Sequence, residues 1–173
     1  MRRIAHVSDL HFGTEAPAVV AALTESIRAF APHLVVATGD LTQRARAHEF
    51  ESAQRFLAGL GAPLLVVPGN HDIAPLWRPL ERALGPFERY RRQISPVLDQ
   101  TWQDDELLVL PSSGGGGVQL QGVTGRGTTF HSDYICNFRR LIQRIQQFTN
   151  IPSIAERRST GWNALLVCPL QST

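Results

Sequence analysis

Three short apolar runs, each delivering polar residues at its carboxyl end, constrain this chain more than any other feature. They are Ile4 to Ser8, Leu34 to Thr38 and Leu64 to Val67, rich in β-branched residues and bounded by turn formers. Runs of this length and composition read as buried strands. Between the first two, Pro17 opens a helical pattern with Val20, Leu23, Ile27 and Phe30 on one face, and Pro32 stops it. Between the second and third, residues Arg46 to Leu60 place Phe50, Ala53, Leu57 and Leu60 together. Glu49, Glu51, Gln54 and Arg55 are expected to face away, and Gly59 and Gly61 to end the helix. Strand, helix, strand, helix, strand with short connections predicts an α/β fold built on a parallel sheet with right-handed crossovers. In such a sheet ligands bind beyond the carboxyl ends of the strands.

Those ends carry Asp9-Leu10-His11, Gly39-Asp40 and Pro68-Gly69-Asn70-His71-Asp72. A carboxamide, an imidazole and a carboxylate in consecutive positions face one point only if the backbone turns sharply, which Gly69 permits. Mixed nitrogen and oxygen donors suit manganese, iron or zinc better than calcium or magnesium. Singly, the residues are ordinary. A lone aspartate at a strand end is commonly a turn former, and Asp72 also reads as the cap of a following helix. His6, His33 and His48 lie outside the motifs and read as structural or surface residues.

Taken in order, Ser8-Asp9-Leu10-His11-Phe12, Gly39-Asp40-Leu41-Thr42 and Val67-Pro68-Gly69-Asn70-His71-Asp72 resemble the calcineurin-like metallophosphoesterases over about residues 3 to 111. They look most like the bacterial branch that includes cyclic-nucleotide phosphodiesterases. The resemblance implies the first half of an α/β/β/α sandwich and metal-dependent hydrolysis of a phosphodiester or phosphomonoester, a cyclic nucleotide being one candidate. It also implies two divalent ions, Asp9 and His11 holding the first, Asp40 bridging both and Asn70 holding the second. His71 would act outside the metal shell, stabilising phosphoryl oxygens or protonating the leaving oxygen, with Asp72 fixing its tautomer. Two ions ~3.5 to 4 Å apart neutralise phosphoryl oxygens and make water a nucleophile at neutral pH. Gln43 stands where purple acid phosphatases place a tyrosine ligand, which excludes that branch.

Beyond Asp72, Leu76 to Leu98 suggests short helices over the rim and Leu107 to Leu110 one more strand. The chain then changes character. Up to Pro111 there are 11 arginines, 13 acids and 15 alanines, and from Ser112 onward 6, 2 and 2. Residues 1 to 111 are therefore expected to form the phosphoesterase half and 112 to 173 an atypical, irregular tail. Ser112 to Gly117 reads as a linker and, lacking Gly-Lys-Ser/Thr, not as a phosphate loop. Cys136 and Cys168 read as free thiols. Asn137 is expected to cap a helix whose apolar face runs from Phe138 to Phe148, with a solvated basic face of Arg139, Arg140 and Arg144.

A complete family member supplies three more histidines from later strands, whereas here only His131 follows His71. The second metal site is therefore expected to be weak. The simultaneous changes at Pro111 lead to the expectation that the tail is read out of the ancestral frame, leaving the first half with exposed apolar sheet surface. The alternative function is an inactive metal-binding remnant or interaction module on the same rim. A length of 173 residues with 43% hydrophobic residues suits one domain, and a formal charge of +2 does not argue for nucleic acid. No secretory segment and no run of ~18 apolar residues is present, so a cytoplasmic protein acting on a small phosphoester, without nucleic-acid or membrane partners, is expected.

Overall fold

A computed structural model describes residues 3–105, 107–111, 118–122, 129–131 and 163–169. The chain runs β1 (Arg3–Ser8), α1 (Pro17–Phe30), β2 (Leu34–Thr38), α2 (Ala47–Ala58), β3 (Leu64–Val66), a single 3-10 turn (Asn70–Asp72), α3 (Pro79–Leu84), α4 (Glu88–Gln93), β4 (Trp102–Gln103) and β5 (Leu107–Pro111). It continues with β6 (Val118–Gly122), β7 (Thr129–His131) and β8 (Asn163–Pro169).

One sheet has the order β3-β2-β1-β8. β1, β2 and β3 pair in parallel with Ile4 opposite Leu34 and Val36 opposite Leu65, and β8 adds antiparallel to β1. Period-two alternation divides its side chains between two cores. Ala5, Val7, Val35, Ala37 and Val66 pack with Leu23 and Ile27 of α1 and with Phe50, Ala53, Phe56 and Leu57 of α2. Ile4, Leu34, Val36 and Leu65 pack on the opposite face with Val109 of β5, joined by Trp102 and Val67. A second, antiparallel sheet of order β4-β5-β6-β7 thus covers the first, giving helices, sheet and sheet in layers.

Two expectations change here. The apolar surface predicted to lie bare is buried, none of Ile4, Leu34, Val36 and Leu65 being more than 5% exposed. Its cover includes Trp102 and Val109, which precede the composition break. Beyond that break the described residues include three strands. The sequence signal for β6 is the period-two alternation of Val118 and Leu120 with Gln119 and Gln121. Ser112 to Gly117, Cys136 and the Phe138 to Phe148 helix lie outside the described residues.

Glu49 also departs from its expected outward position. It is buried, and its Oε2 accepts the amide N–H of Arg44 at 2.8 Å and of Arg46 at 3.1 Å, satisfying donors just ahead of α2. The exposed edge of β3 is handled similarly. Val66 directs both backbone groups away from β2, and Tyr90 donates its hydroxyl to Val66 O at 2.9 Å while Gln100 Oε1 accepts Val66 N–H at 3.0 Å. Side chains from α4 and the loop after it therefore close an edge that would otherwise pair with another strand.

His6 on β1 pairs through Nε2 with Thr38 Oγ1 at 2.8 Å, and burial pushes its imidazole down to about 4, the nearby Asp9 carboxylate pulling the other way. Unfolded chain takes up a proton there below about pH 6.5, whereas folded chain stays neutral until about 4. Stability therefore falls as pH drops through that window and is level on either side of it. Denaturant unfolding at pH 7 and about pH 4.5 is expected to show His6→Gln losing less stability than the parent chain, by on the order of 2 kcal/mol.

Candidate metal centre

The carboxyl ends of β1 and β2 run on together as a backbone zipper. Asp9 N–H donates to Thr38 O at 3.2 Å, His11 N–H to Asp40 O at 3.0 Å, Phe12 N–H to Leu41 O at 2.8 Å and Gln43 N–H to Phe12 O at 3.0 Å. To make these contacts Asp9 and His11 adopt φ of 53° and 45°, left-handed values uncommon outside glycine. Glycine is required at two further places. At Gly39, with φ of 78°, a Cβ would sit 2.8 Å from Asp9 Oδ1. At Gly69 a Cβ would collide with Asp40 Oδ1 and lie 2.5 Å from the Asp40 amide nitrogen. The absence of these side chains is what lets the carboxylates approach the strand ends.

Asp40 is 8% exposed, and its Oδ1 accepts the His71 N–H at 2.8 Å, which leaves Oδ2 facing His11 Nε2 at 3.9 Å. The rings of His11 and His71 meet edge to face with centroids 5.1 Å apart. Among the described residues, His11, Asp40 and His71 each offer a donor atom within 4.8 Å of the others. Asp9 lies outside that group, its carboxylate against Gly39, and Asn70 is exposed at the first position of the 3-10 turn. His11 Nδ1 is buried with no hydrogen-bond partner, a costly state for a polar nitrogen and a fitting one for a ligand. The donor set suits a divalent cation of the manganese, iron or zinc type.

The tautomer of His71 is set differently from the sequence expectation. His71 Nδ1 lies 2.8 Å from the carbonyl oxygen of Gln43, an acceptor only, so Nδ1 carries the proton and Nε2 is turned to the site. Asp72 is occupied elsewhere. Its Oδ1 accepts Thr42 N–H and Thr42 Oγ1–H, both at 2.8 Å, and its Oδ2 accepts Leu41 N–H and Gly69 N–H, both at 3.0 Å. Gln43 thus takes the orienting role expected of Asp72, and Asp72 ties the loop after β2 to the loop after β3. Burial pushes its carboxyl up to about 6, against hydrogen bonds from Gly69, Leu41 and Thr42 that hold it down.

A family model for calcineurin-like phosphoesterases matches residues 2–165. The chain belongs to this family. The match continues beyond Pro111 and takes in β6, β7 and part of β8. Among curated proteins, the UDP-2,3-diacylglucosamine pyrophosphatase LpxG of Chlamydia muridarum (strain MoPn / Nigg) is 35% identical over 75 residues, 42% of this chain and 23% of that protein. The glycerophosphodiester phosphodiesterase GpdQ of Enterobacter lignolyticus (strain SCF1) is 33% identical over 81 residues, 40% of this chain and 29% of that protein. The aligned stretches thus span about a quarter of the length of these phosphoesterases. No helix among the described residues is long and apolar enough to cross a membrane.

Replacing Asp72 by asparagine keeps the shape but turns an amide donor toward groups that themselves donate. Asp72→Asn is expected to lower the stability of metal-free chain by roughly 2 to 4 kcal/mol, measured by denaturant unfolding in chelator. A residue needed only to orient His71 would leave that stability unchanged.

Proposed function

We propose that this chain is a metal-dependent phosphoesterase acting on a small phosphodiester or phosphomonoester. The observation that carries the reading is the convergence of His11, Asp40 and His71 at the carboxyl ends of parallel strands in a chain of this family. A divalent ion held there supplies Lewis acidity toward phosphoryl oxygens and acidifies water. Asp9, His11 and Asp40 would hold a first ion, and Asp40 with the exposed Asn70 carboxamide would hold a second.

His71 has a separate task. With Nδ1–H on the Gln43 carbonyl, its cationic form presents Nε2–H to a phosphoryl or leaving oxygen, and its neutral form presents a lone pair. Asp72 holds the loops that carry Asp40 and His71 at their separation. GpdQ is a diesterase and LpxG a pyrophosphatase, so both bond types belong in a substrate panel.

Turnover of a chromogenic bis-phosphodiester with added manganese tests the reading. His71→Ala is expected to lower kcat about 10²-fold while metal content is retained. Loss of metal in that variant would instead make His71 Nε2 a ligand. One observation favours the inactive remnant as a second reading, since His131 is the only histidine after His71. On the same ground elemental analysis is expected to find closer to one divalent ion than two per chain, and Asp40→Ala to release it. Metal retained without turnover of either bond type would leave the remnant standing.

A further inference from the structure

Alongside the metal centre, and sharing no residue with its donor group, lies a cavity of about 630 Å³ between the turn ahead of α2 and helices α3 and α4. Arg44, Arg46, Arg78, Arg89, Arg92 and the ring of Trp77 contribute to its lining, and no acidic side chain does. Three of the guanidinium groups are paired from outside. Arg78 meets Glu81 at 2.6 Å, Arg89 meets Glu81 at 3.0 Å and Arg92 meets Glu88 at 2.7 Å. No acidic side chain pairs with Arg44 or Arg46 among the described residues, so two guanidinium groups of the lining are held in no ion pair there.

The turn that presents them is built rather than loose. Glu49, buried beneath it, accepts the amide N–H of both Arg44 and Arg46. Between them Ala45 is 1% exposed and holds φ of 50°, its N–H donating to Thr42 Oγ1 at 3.1 Å and its carbonyl accepting Arg89 Nη1 at 3.0 Å. A non-glycine residue held in the left-handed region by the bonds around it is the kind of strain that recurs at ligand clamps. Gln43, at the start of the same turn, holds His71 by its carbonyl.

We infer that this cavity binds a nucleotide, its phosphates on the Arg44 and Arg46 guanidinium groups and its base against Trp77. Planar guanidinium forks pair with phosphate through parallel N–H donors, and a turn fixed beforehand leaves less to order on binding. Trp77 is 64% exposed, which is unfavourable for so large an apolar ring in water and apt for stacking a flat base. A volume of this size falls within the range of small-molecule sites. The site is distinct from the hydrolytic reading, because nothing in it depends on a metal.

The test uses the full chain in chelator, so that the metal centre contributes no phosphate affinity, with ADP and inorganic pyrophosphate titrated separately by calorimetry. ADP is expected to saturate at one per chain and to bind more tightly than pyrophosphate. The double substitution Arg44→Ala, Arg46→Ala is expected to weaken ADP at least about tenfold. Arg91→Ala, an exposed arginine of α4 outside the lining, is expected to change nothing. Trp77→Ala is expected to bring ADP down to the affinity of pyrophosphate. Absence of saturable ADP binding, undiminished binding by the double variant, or equal weakening by Arg91→Ala would overturn the site. Equal affinity of the parent chain for ADP and pyrophosphate would overturn the nucleotide assignment.

Discussion

A single buried carboxylate holds the functional rim together. The loops after β2 and β3 leave the sheet with amide donors at Leu41, Thr42 and Gly69 that the strand ladder does not use, and Asp72 accepts all three along with the Thr42 hydroxyl. Buried amides left unpaired would each cost energy comparable to a lost hydrogen bond. Because Asp72 directly follows His71, satisfying those donors also sets where the imidazole emerges. Asp40 completes the tie from the other side, its Oδ1 accepting the His71 amide. The third residue of Asn70-His71-Asp72 is thus the structural condition for the first two.

The second condition is conformational. Asp9 and His11 sit in backbone conformations that side chains disfavour, and Gly39 and Gly69 are bare where carboxylates approach. The zipper from Asp9 to Gln43 compensates for this strain with regular hydrogen bonds. Donor atoms are therefore near one another before any cation arrives. A centre arranged this way asks little reorganisation of the protein on binding, which favours geometric selectivity over flexible accommodation.

Much of this was readable from residues because it depends on period and punctuation. The α1 and α2 core faces follow three- and four-residue spacing closed by proline and glycine, and the parallel pairing follows from the alternation of elements. What escaped depends on backbone chemistry, which has no residue letter. The Gln43 carbonyl orients His71, and any residue could have supplied that oxygen. Glu49 looked like a member of the polar face of α2, and only the geometry of the preceding turn gives it two amides to accept. The second sheet was hidden for another reason. Its two-residue strand β4 and the alternating β6 give weaker signals than a continuous buried run, and the cover that this sheet brings to Ile4, Leu34 and Val36 turned a supposedly bare surface into a core.

Tyr90 and Gln100 both return to Val66, the residue from which the chain departs toward the metal loop. The stretch from Val67 to Arg89 is therefore a closed excursion, clasped where it begins. Lengthening such an excursion costs little, since doubling a flexible loop adds only about 0.6 kcal/mol of closure entropy. The surface formed by α3 and α4, with exposed Leu76, Trp77, Leu80 and Leu84 among its arginines, can accordingly be rebuilt in length and chemistry over evolutionary time. The clasp keeps such remodelling from reaching β3, and through it the ends of β1 and β2 that present His11 and Asp40.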